Sequence, residues 1–438
     1  MKLLVLDTGK VGLDLALRAQ AAGHSVRLWV PDYLGSGDRR KMGDNLISKP
    51  RDWRPSMEWA DMVLPTDNAF YVKELERYFE RGYPIFGCNR AAGELELDRD
   101  KGQQVLRRFG IKILDYERFD SYEKARARVL ETGKTYVSKP IGEADKALSY
   151  VSKSPADMVF KLDRWKRANV LKEGFILQEA CEGTEIGIGG WFGPSGWGKW
   201  KCENWEEKRL MNDGLGINTG EQGTTLRYVK NSTLFEEVLA PVTDYLWSID
   251  YVGYVDMNCM VAKDGTPYPL EFTMRFGWPL IMIQGALHQG DPINWMWDLM
   301  KGRDTLRVSE DVAIGVVLSH GDYPYSWYVP KENHGYPLTG ISIRNEDQIH
   351  LVEVALEKAP VMAGKRVVEE ETLVTAGNYI LVVTGVGASV SKAREKCYET
   401  LWGIDLPSNR MFRTDIGLRL EEELKELQKH GYASGMKF

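Results

Sequence analysis

The sequence predicts an α/β protein in three parts: a doubly wound N-terminal domain, a central unit and a mixed α/β C-terminal domain. Three observations carry this. The chain opens strand, Gly-containing turn, helix, strand, as LLVL (3–6), DTGKVG (7–12), LDLALRAQAAG stopped by Gly23, and SVRLWVP, which is a βαβ opening. From Leu95 the pattern changes to amphipathic helices alternating with short strands. A third block of strands, AIGVVLSH, HLVEVAL and NYILVVTGVG, follows roughly residue 307. At 438 residues the chain is too long for one average domain. The expected divisions are 1–92, 93–306 and 307–438.

Taken in order, DMVLP (61–65) is a further strand before the helix NAFYVKELERYFERG, and the strand PIFG (84–87) closes the first domain. The first turn has only Gly9 and Gly12 near the places of a G-x-G-x-x-G fingerprint, so a plain strand-to-helix turn is expected ahead of nicotinamide binding. ELDRDKGQQVLRRFG is expected to be one amphipathic helix ended by Gly110. The Gly- and Trp-rich stretch 191–225 is expected to be a long functional loop. STLFEEVLAPVTDYLWSI is expected as one helix before the strand pair of GYVDMNCMVAKDGTPYPLEFT, which turns at Asp264-Gly265. The last helix, LEEELKELQKHG, presents mostly a solvated charged face.

Composition narrows the function classes. With 43% hydrophobic and 27% charged residues and a net charge of -6, the chain has no basic signature, so nucleic acid is not an expected partner. Cys88, Cys181, Cys202, Cys259 and Cys397 are odd in number and form no CxxC pair, which fits reduced thiols and neither a disulfide framework nor a zinc site. Nowhere do ~18 uninterrupted apolar residues occur. A cytoplasmic protein without a membrane partner is expected, as a monomer or homodimer.

Chemistry concentrates in PLEFTMRFGWP (269–279). Strand alternation puts Glu271 and Thr273 on one face and Leu270 and Phe272 on the other. Asp256, on the preceding strand, has the parity to join the first pair. Two carboxylates near Arg275 suit Mg²⁺ or Mn²⁺ on the phosphates of a nucleotide, with the guanidinium meeting charge on a transferred phosphoryl group. An exposed Glu271–Arg275 ion pair accounts for the same residues equally well. Lys139, at the exit of the strand TYVSKP, could meet phosphate oxygens or be a simple strand-end lysine. The tryptophans Trp191, Trp197, Trp200 and Trp205 could stack a base, although packing accounts for them more simply.

These segments together resemble the ATP-grasp superfamily and, within it, the phosphoribosylamine–glycine ligases. PLEFTMRFGWPLIMIQ is similar to that family's (I/L)EFNxRFGDPExQ, and GINTGEQG (216–223) to its GPNTGGMG loop, preceded in both by a Lys-Arg pair, here Lys208 and Arg209. GCNRAAGELELDRDKGQQVLRRFGIKI, AIGVVLSHGDYP, LVTAGNYILVVTGVGASVSKAREKCYETL and FRTDIGLRL resemble further landmarks, in order, from about 85 to 420. The resemblance implies a two-lobed central unit, its smaller lobe over about 115–188, that binds ATP and Mg²⁺, with adenine near Gln178, Glu179 and Cys181, ribose on Glu185, phosphates on Lys101, Lys139 and Lys146, and metal on Asp256, Glu271 and Thr273. It also implies that Asn218 and Thr219 hold a carboxylate substrate or its acyl phosphate, beside Lys208, Arg209 and Arg275.

The implied reaction joins an amino acid such as glycine to an amine acceptor, phosphoribosylamine in the purine pathway, through an acyl phosphate. Alternatives are a relative that couples an amino acid to another amine, such as a modified nucleotide, and a nucleotide binder without turnover; a dehydrogenase ranks last. Departures motivate them. The family's asparagine after E-F is Thr273, its Gly-rich flap is GEADKALSYV, its helix lysine is displaced to Lys101 beside Gln103, and its GNGGREHAL turn is DTGKVGLDLAL. In that last turn Lys10 could replace the lost arginine only as a point charge.

Overall fold

Leu3, Leu4, Val5 and Leu6 are all buried, as a strand covered on both faces requires. This strand, β1 (Lys2–Leu6), pairs in parallel with β2 (Ser25–Trp29) and β3 (Met62–Pro65) in the order β2-β1-β3, with the helix Gly12–Ala21 as the first crossover. The structure, a computed structural model, describes residues 1–32, 40–141, 149–168, 174–325 and 333–438. The expected strand at 84–87 is reduced to single bridges, Ile85 to Val63 and Gly87 to Val252.

Two expected helices are each broken, and each break has a local cause. ELDRDKGQQVLRRFG divides between the helices Arg90–Leu97 and Arg99–Arg108, because Asp98 is extended and its carboxylate accepts the Lys101 N–H at 3.2 Å as an N-cap. Replacing Asp98 with Ala is expected to cost about 1 kcal/mol, read as a lower denaturant midpoint at unchanged slope. STLFEEVLAPVTDYLWSI becomes the helices Thr233–Val238 and Thr243–Ser248 joined by a 3₁₀ turn, Ala240–Val242. Pro241 lacks the N–H that a continuous helix would use there.

A small sheet follows, of β4 (Tyr116–Phe119), β5 (Tyr136–Pro140), β6 (Tyr150–Val151) and β7 (Phe175–Glu179) in the order β4-β7-β5-β6. It has its own core, which includes Phe119, Val129, Met158, Leu162, Trp165 and Phe175. The chain then enters a larger sheet at β8 (Gly183–Gly193), so residues 183–188 pack with that sheet and not with the small lobe.

The larger sheet continues through β9 (Gly196–Arg209), β10 (Asn218–Val229), β11 (Gly253–Ala262), β12 (Pro267–Thr273) and β13 (Val312–Ser319). It is completed by β14 (Ile349–Leu351) and, after the side hairpin of β15 (Val354–Ala363) and β16 (Arg366–Thr375), by β17 (Tyr379–Gly387). The order is β12-β11-β8-β9-β10-β13-β17-β14. The expected loop at 191–225 is therefore mostly strand. Trp191, Trp200 and Trp205 are buried and Trp197 is partly buried, with the Trp191 ring 4.7 Å from Trp295 and 4.8 Å from Tyr254. These rings form core and offer no stacking platform for a base. The central and C-terminal blocks share this sheet across β10 and β13, and Arg413 ties them further through Glu207 at 2.9 Å. All five cysteines are free, and among the described residues no helix is long and apolar enough to cross a membrane.

Candidate active site

Strand register builds the site. Glu185, Gly187 and Gly189 of β8 stand opposite Met260, Asn258 and Asp256 of β11, while Asn258 and Asp256 stand opposite Glu271 and Thr273 of β12. On the other side Gly187 stands opposite Asn204 of β9. Period two then gathers Glu185, Asn204, Glu206, Lys208, Asp256, Asn258, Glu271 and Thr273 on one face. Two glycines make room for them: a Cβ at Gly187 would collide with the Asn204 amide, and one at Gly189 with the Tyr254 hydroxyl and Asp256 carboxylate.

The face is a network of opposed charges. Lys208 Nζ lies 2.9 Å from Glu206 and 3.4 Å from Glu185, and Asn258 Nδ2 donates to Glu206 at 2.9 Å. Burial works against the Lys208 charge, but Glu206, Glu185 and Glu271 outweigh it and hold the ammonium well above the usual lysine range. Arg99 Nη1 contacts Glu271 at 2.6 Å. Lys139, buried near the end of β5, donates to Gln178 Oε1 at 2.9 Å and to the Leu270 carbonyl at 3.3 Å, which places it against β12. Burial, with the Arg99 charge nearby, brings Lys139 down to about 8. Asp256 accepts from Asn204 at 3.0 Å and from the Tyr254 hydroxyl at 3.1 Å, and burial followed by the Glu206 charge pushes it up to about 7.

Of the residues singled out in the sequence, Lys139, Gln178, Glu185, Lys208, Asp256, Glu271 and Thr273 converge here. Others are held elsewhere. Arg275 pairs with Glu96 at 3.0 Å, so the alternative Glu271–Arg275 ion pair is not formed: Glu271 has Arg99 instead. Glu96 is itself fixed by the Met274 N–H at 2.9 Å and Asn68 Nδ2 at 2.6 Å. Lys101 turns to Glu94, one helix back, and Gln103 donates to the Leu270 carbonyl at 3.2 Å. Glu179 pairs with Lys134, and Cys181 is partly exposed beside it. Arg209 donates to the Gly216 carbonyl at 2.9 Å and stands opposite Asn218, while Thr219 donates to the Lys208 carbonyl at 2.8 Å. Lys146 lies outside the described residues.

Arg99, Glu206, Asn258 and Glu221 were not anticipated. The alternation Asn204-Glu206-Lys208 in KCENWEEKR was a legible signal once that segment is taken as strand. Arg99 gave none, since it acts on a residue distant in sequence, and Glu221 comes within reach of the charges of this face only in the folded sheet.

Residues 313–419 match the family model described as Phosphoribosylglycinamide synthetase, C domain. A phosphoribosylamine–glycine ligase of Halalkalibacterium halodurans is 27% identical over 357 residues, 78% of each chain. The crystal structure of the phosphoribosylamine–glycine ligase of Thermotoga maritima superposes with a TM-score of 0.70 at 20% identity, over 95% of this chain and 100% of that one. The N5-carboxyaminoimidazole synthetase of Staphylococcus aureus, solved with ADP, gives 0.57 at 13% identity, over 92% and 97%. The chain has the ATP-grasp fold and resembles the phosphoribosylamine–glycine ligases.

Within this ATP-grasp framework lies the N-terminal turn that differs in sequence from the family pattern. It is a plain turn, closed on its own carboxylate: Asp7, fully buried, accepts the N–H groups of Val11 at 3.2 Å and Gly12 at 2.9 Å and the Thr66 hydroxyl at 2.9 Å. Two of the donors that this helix N-terminus would offer an anion are thus already taken by Asp7. Lys10, at φ 63°, pairs with the buried Glu353 at 2.8 Å, so its charge is neutralised within the protein.

Proposed function

We propose that this chain is an ATP-dependent carboxylate–amine ligase that forms a C–N bond through an acyl phosphate, joining glycine to phosphoribosylamine as its named relatives do. The observation that carries this is the sheet face on which Lys139, Lys208 and Arg99 oppose Glu185, Glu206 and Glu271. A carboxylate is a poor acyl donor, and phosphorylation supplies its leaving group. Positioning and charge neutralisation are most of what phosphoryl transfer requires. Lys139 and Lys208 would meet the ATP phosphates, Glu185 the ribose, and the segment Gln178 to Cys181 the adenine. Arg275, oriented by Glu96, would face the transferred phosphoryl group, and Asn218 and Thr219 the carboxylate being activated.

The donor set fits Mg²⁺, since Glu271, Thr273 and Asn258 offer hard oxygens on one face. Glu271 would be its principal ligand, because Asp256 is already held by Asn204 and Tyr254. When bound, the metal would neutralise phosphate charge. A second reading, an amine acceptor without a phosphate group, is favoured by the Asp7 carboxylate that fills the N-terminal turn.

Saturating Mg-ATP is expected to raise the melting midpoint by the amount that ligand linkage sets; a shift with NAD and none with ATP would refute the nucleotide site. Glycine-dependent hydroxamate in the presence of hydroxylamine tests activation. Adding phosphoribosylamine then separates the two acceptors: robust glycinamide ribonucleotide formation supports the first, and hydroxamate without acceleration supports the second.

A further inference from the structure

Glu221 lies on β10 at the place where the resembled GPNTGGMG motif has its second-to-last glycine. Its side chain is 2% exposed, and Oε1 has no hydrogen-bond partner among the described residues. The ionisable groups that act on it, in order of strength, are Glu206, Lys208, Asp256 and Glu185, and the one cation in that set is already engaged by Glu206 and Glu185. A buried carboxylate with no counter-ion of its own among the described residues is costly; burial, followed by the Glu206 charge, pushes the Glu221 carboxyl well above the usual carboxylate range, and a cation at the site would favour the ionised form.

The surroundings indicate what kind of cation. Next to Glu221, Gln222 donates to the Tyr323 hydroxyl at 3.2 Å, and the Tyr379 hydroxyl donates to the Glu221 carbonyl at 3.4 Å. The Tyr379 ring lies 4.0 Å from that of Trp278, which packs beside Gly220. The Glu221 charge acts on both the Tyr323 and the Tyr379 phenols, and a carboxylate in so enclosed a setting is a charge-assisted acceptor for an alkylammonium. The strand bulges between Asn218 and Gly223, so Thr219 and Glu221 sit close together in the irregular segment.

We propose that Glu221 binds the protonated amino group of the amino-acid substrate, whose carboxylate lies toward Asn218 and Thr219, and so selects amino acids over other carboxylic acids. This rests on the ligase reading for the identity of the bound carboxylate. It adds a recognition residue that the glycine of the resembled motif could not supply.

The test compares glycine with glycolate, which replaces the ammonium by a hydroxyl, in the hydroxamate assay with Mg-ATP, for the wild-type protein and Glu221→Gln. The variant is expected to raise the KM for glycine about tenfold or more with little change in kcat, and to leave glycolate unaffected. Glu221→Asp should recover part of the glycine preference. Equal losses on both substrates, a fall in kcat alone, or no change would each overturn the assignment. Calorimetric titration of glycine into protein saturated with Mg-ADP keeps the two readings apart. Glycine binding that disappears in Glu221→Gln supports the ammonium site even if no hydroxamate forms, whereas equal binding to both proteins, or to neither, overturns it. An unchanged Mg-ATP thermal shift in the variant confirms that the fold and nucleotide site are intact.

Discussion

Glu271→Gln is expected to lower ADP production by about 10²–10³-fold, the range seen when one preorganised electrostatic group is removed from an active site. The side chain stands opposite Asn258, is partly exposed, and is the partner of Arg99 at 2.6 Å. Neutralising it removes the carboxylate proposed to hold Mg²⁺. It also leaves Arg99 without the counter-charge that offsets its repulsion of Lys139, the largest charge effect on that lysine. The fold should survive, because the pair is partly exposed and Gln keeps the volume of Glu, leaving no cavity behind. Steady-state ADP release with a melting curve on the same sample checks both halves. Unchanged turnover would return Glu271 to a scaffold role.

ATP affinity is expected to fall by about tenfold per pH unit above pH 8, a consequence of Lys139. Its folded value of about 8 lies below the ordinary lysine value of ~10.4. In the free protein the unfolded chain therefore holds more protons between these values, so this group's contribution to stability rises with pH across the window. Phosphate oxygens act in the opposite sense: they favour the ammonium, so binding above pH 8 must take up a proton. Lys208, held well above the lysine range, stays charged throughout and adds no such slope. Binding isotherms from pH 7 to 10 should show the decline in the wild type and a nearly flat profile in Lys139→Arg, whose guanidinium does not titrate. A wild-type profile that is flat across this range would refute the assignment of Lys139 to the phosphates.

Much of the face was legible because strand parity is local. Asp256, Glu271 and Thr273 could be placed together from the spacing around Asp264-Gly265 alone, and the observed register bears that out. The helices broken at Asp98 and Pro241 were also local events, which apolar periodicity outweighed. In the stretch 191–225 the glycines suggest punctuation, and hence a loop. In the sheet, Gly187 and Gly189 just before it are instead the spaces into which Asn204, Tyr254 and Asp256 project, a role that exists only once the neighbouring strands are in place.

By itself the sequence determined the βαβ opening, the strand pair of the site, the ATP-grasp resemblance and the alternation that puts polar side chains on one face. These depend on neighbours within a few residues, where backbone periodicity and turn chemistry act. Only the tertiary structure decided which charge answers which. It gave Glu271 to Arg99 and Arg275 to Glu96, turned Lys101 to Glu94, and closed the first turn on Asp7 with Lys10 spent on Glu353. It also left Glu221 buried with an unanswered oxygen. Long charged side chains reach partners far along the chain, and the choice among them follows from burial, which no single stretch of sequence encodes.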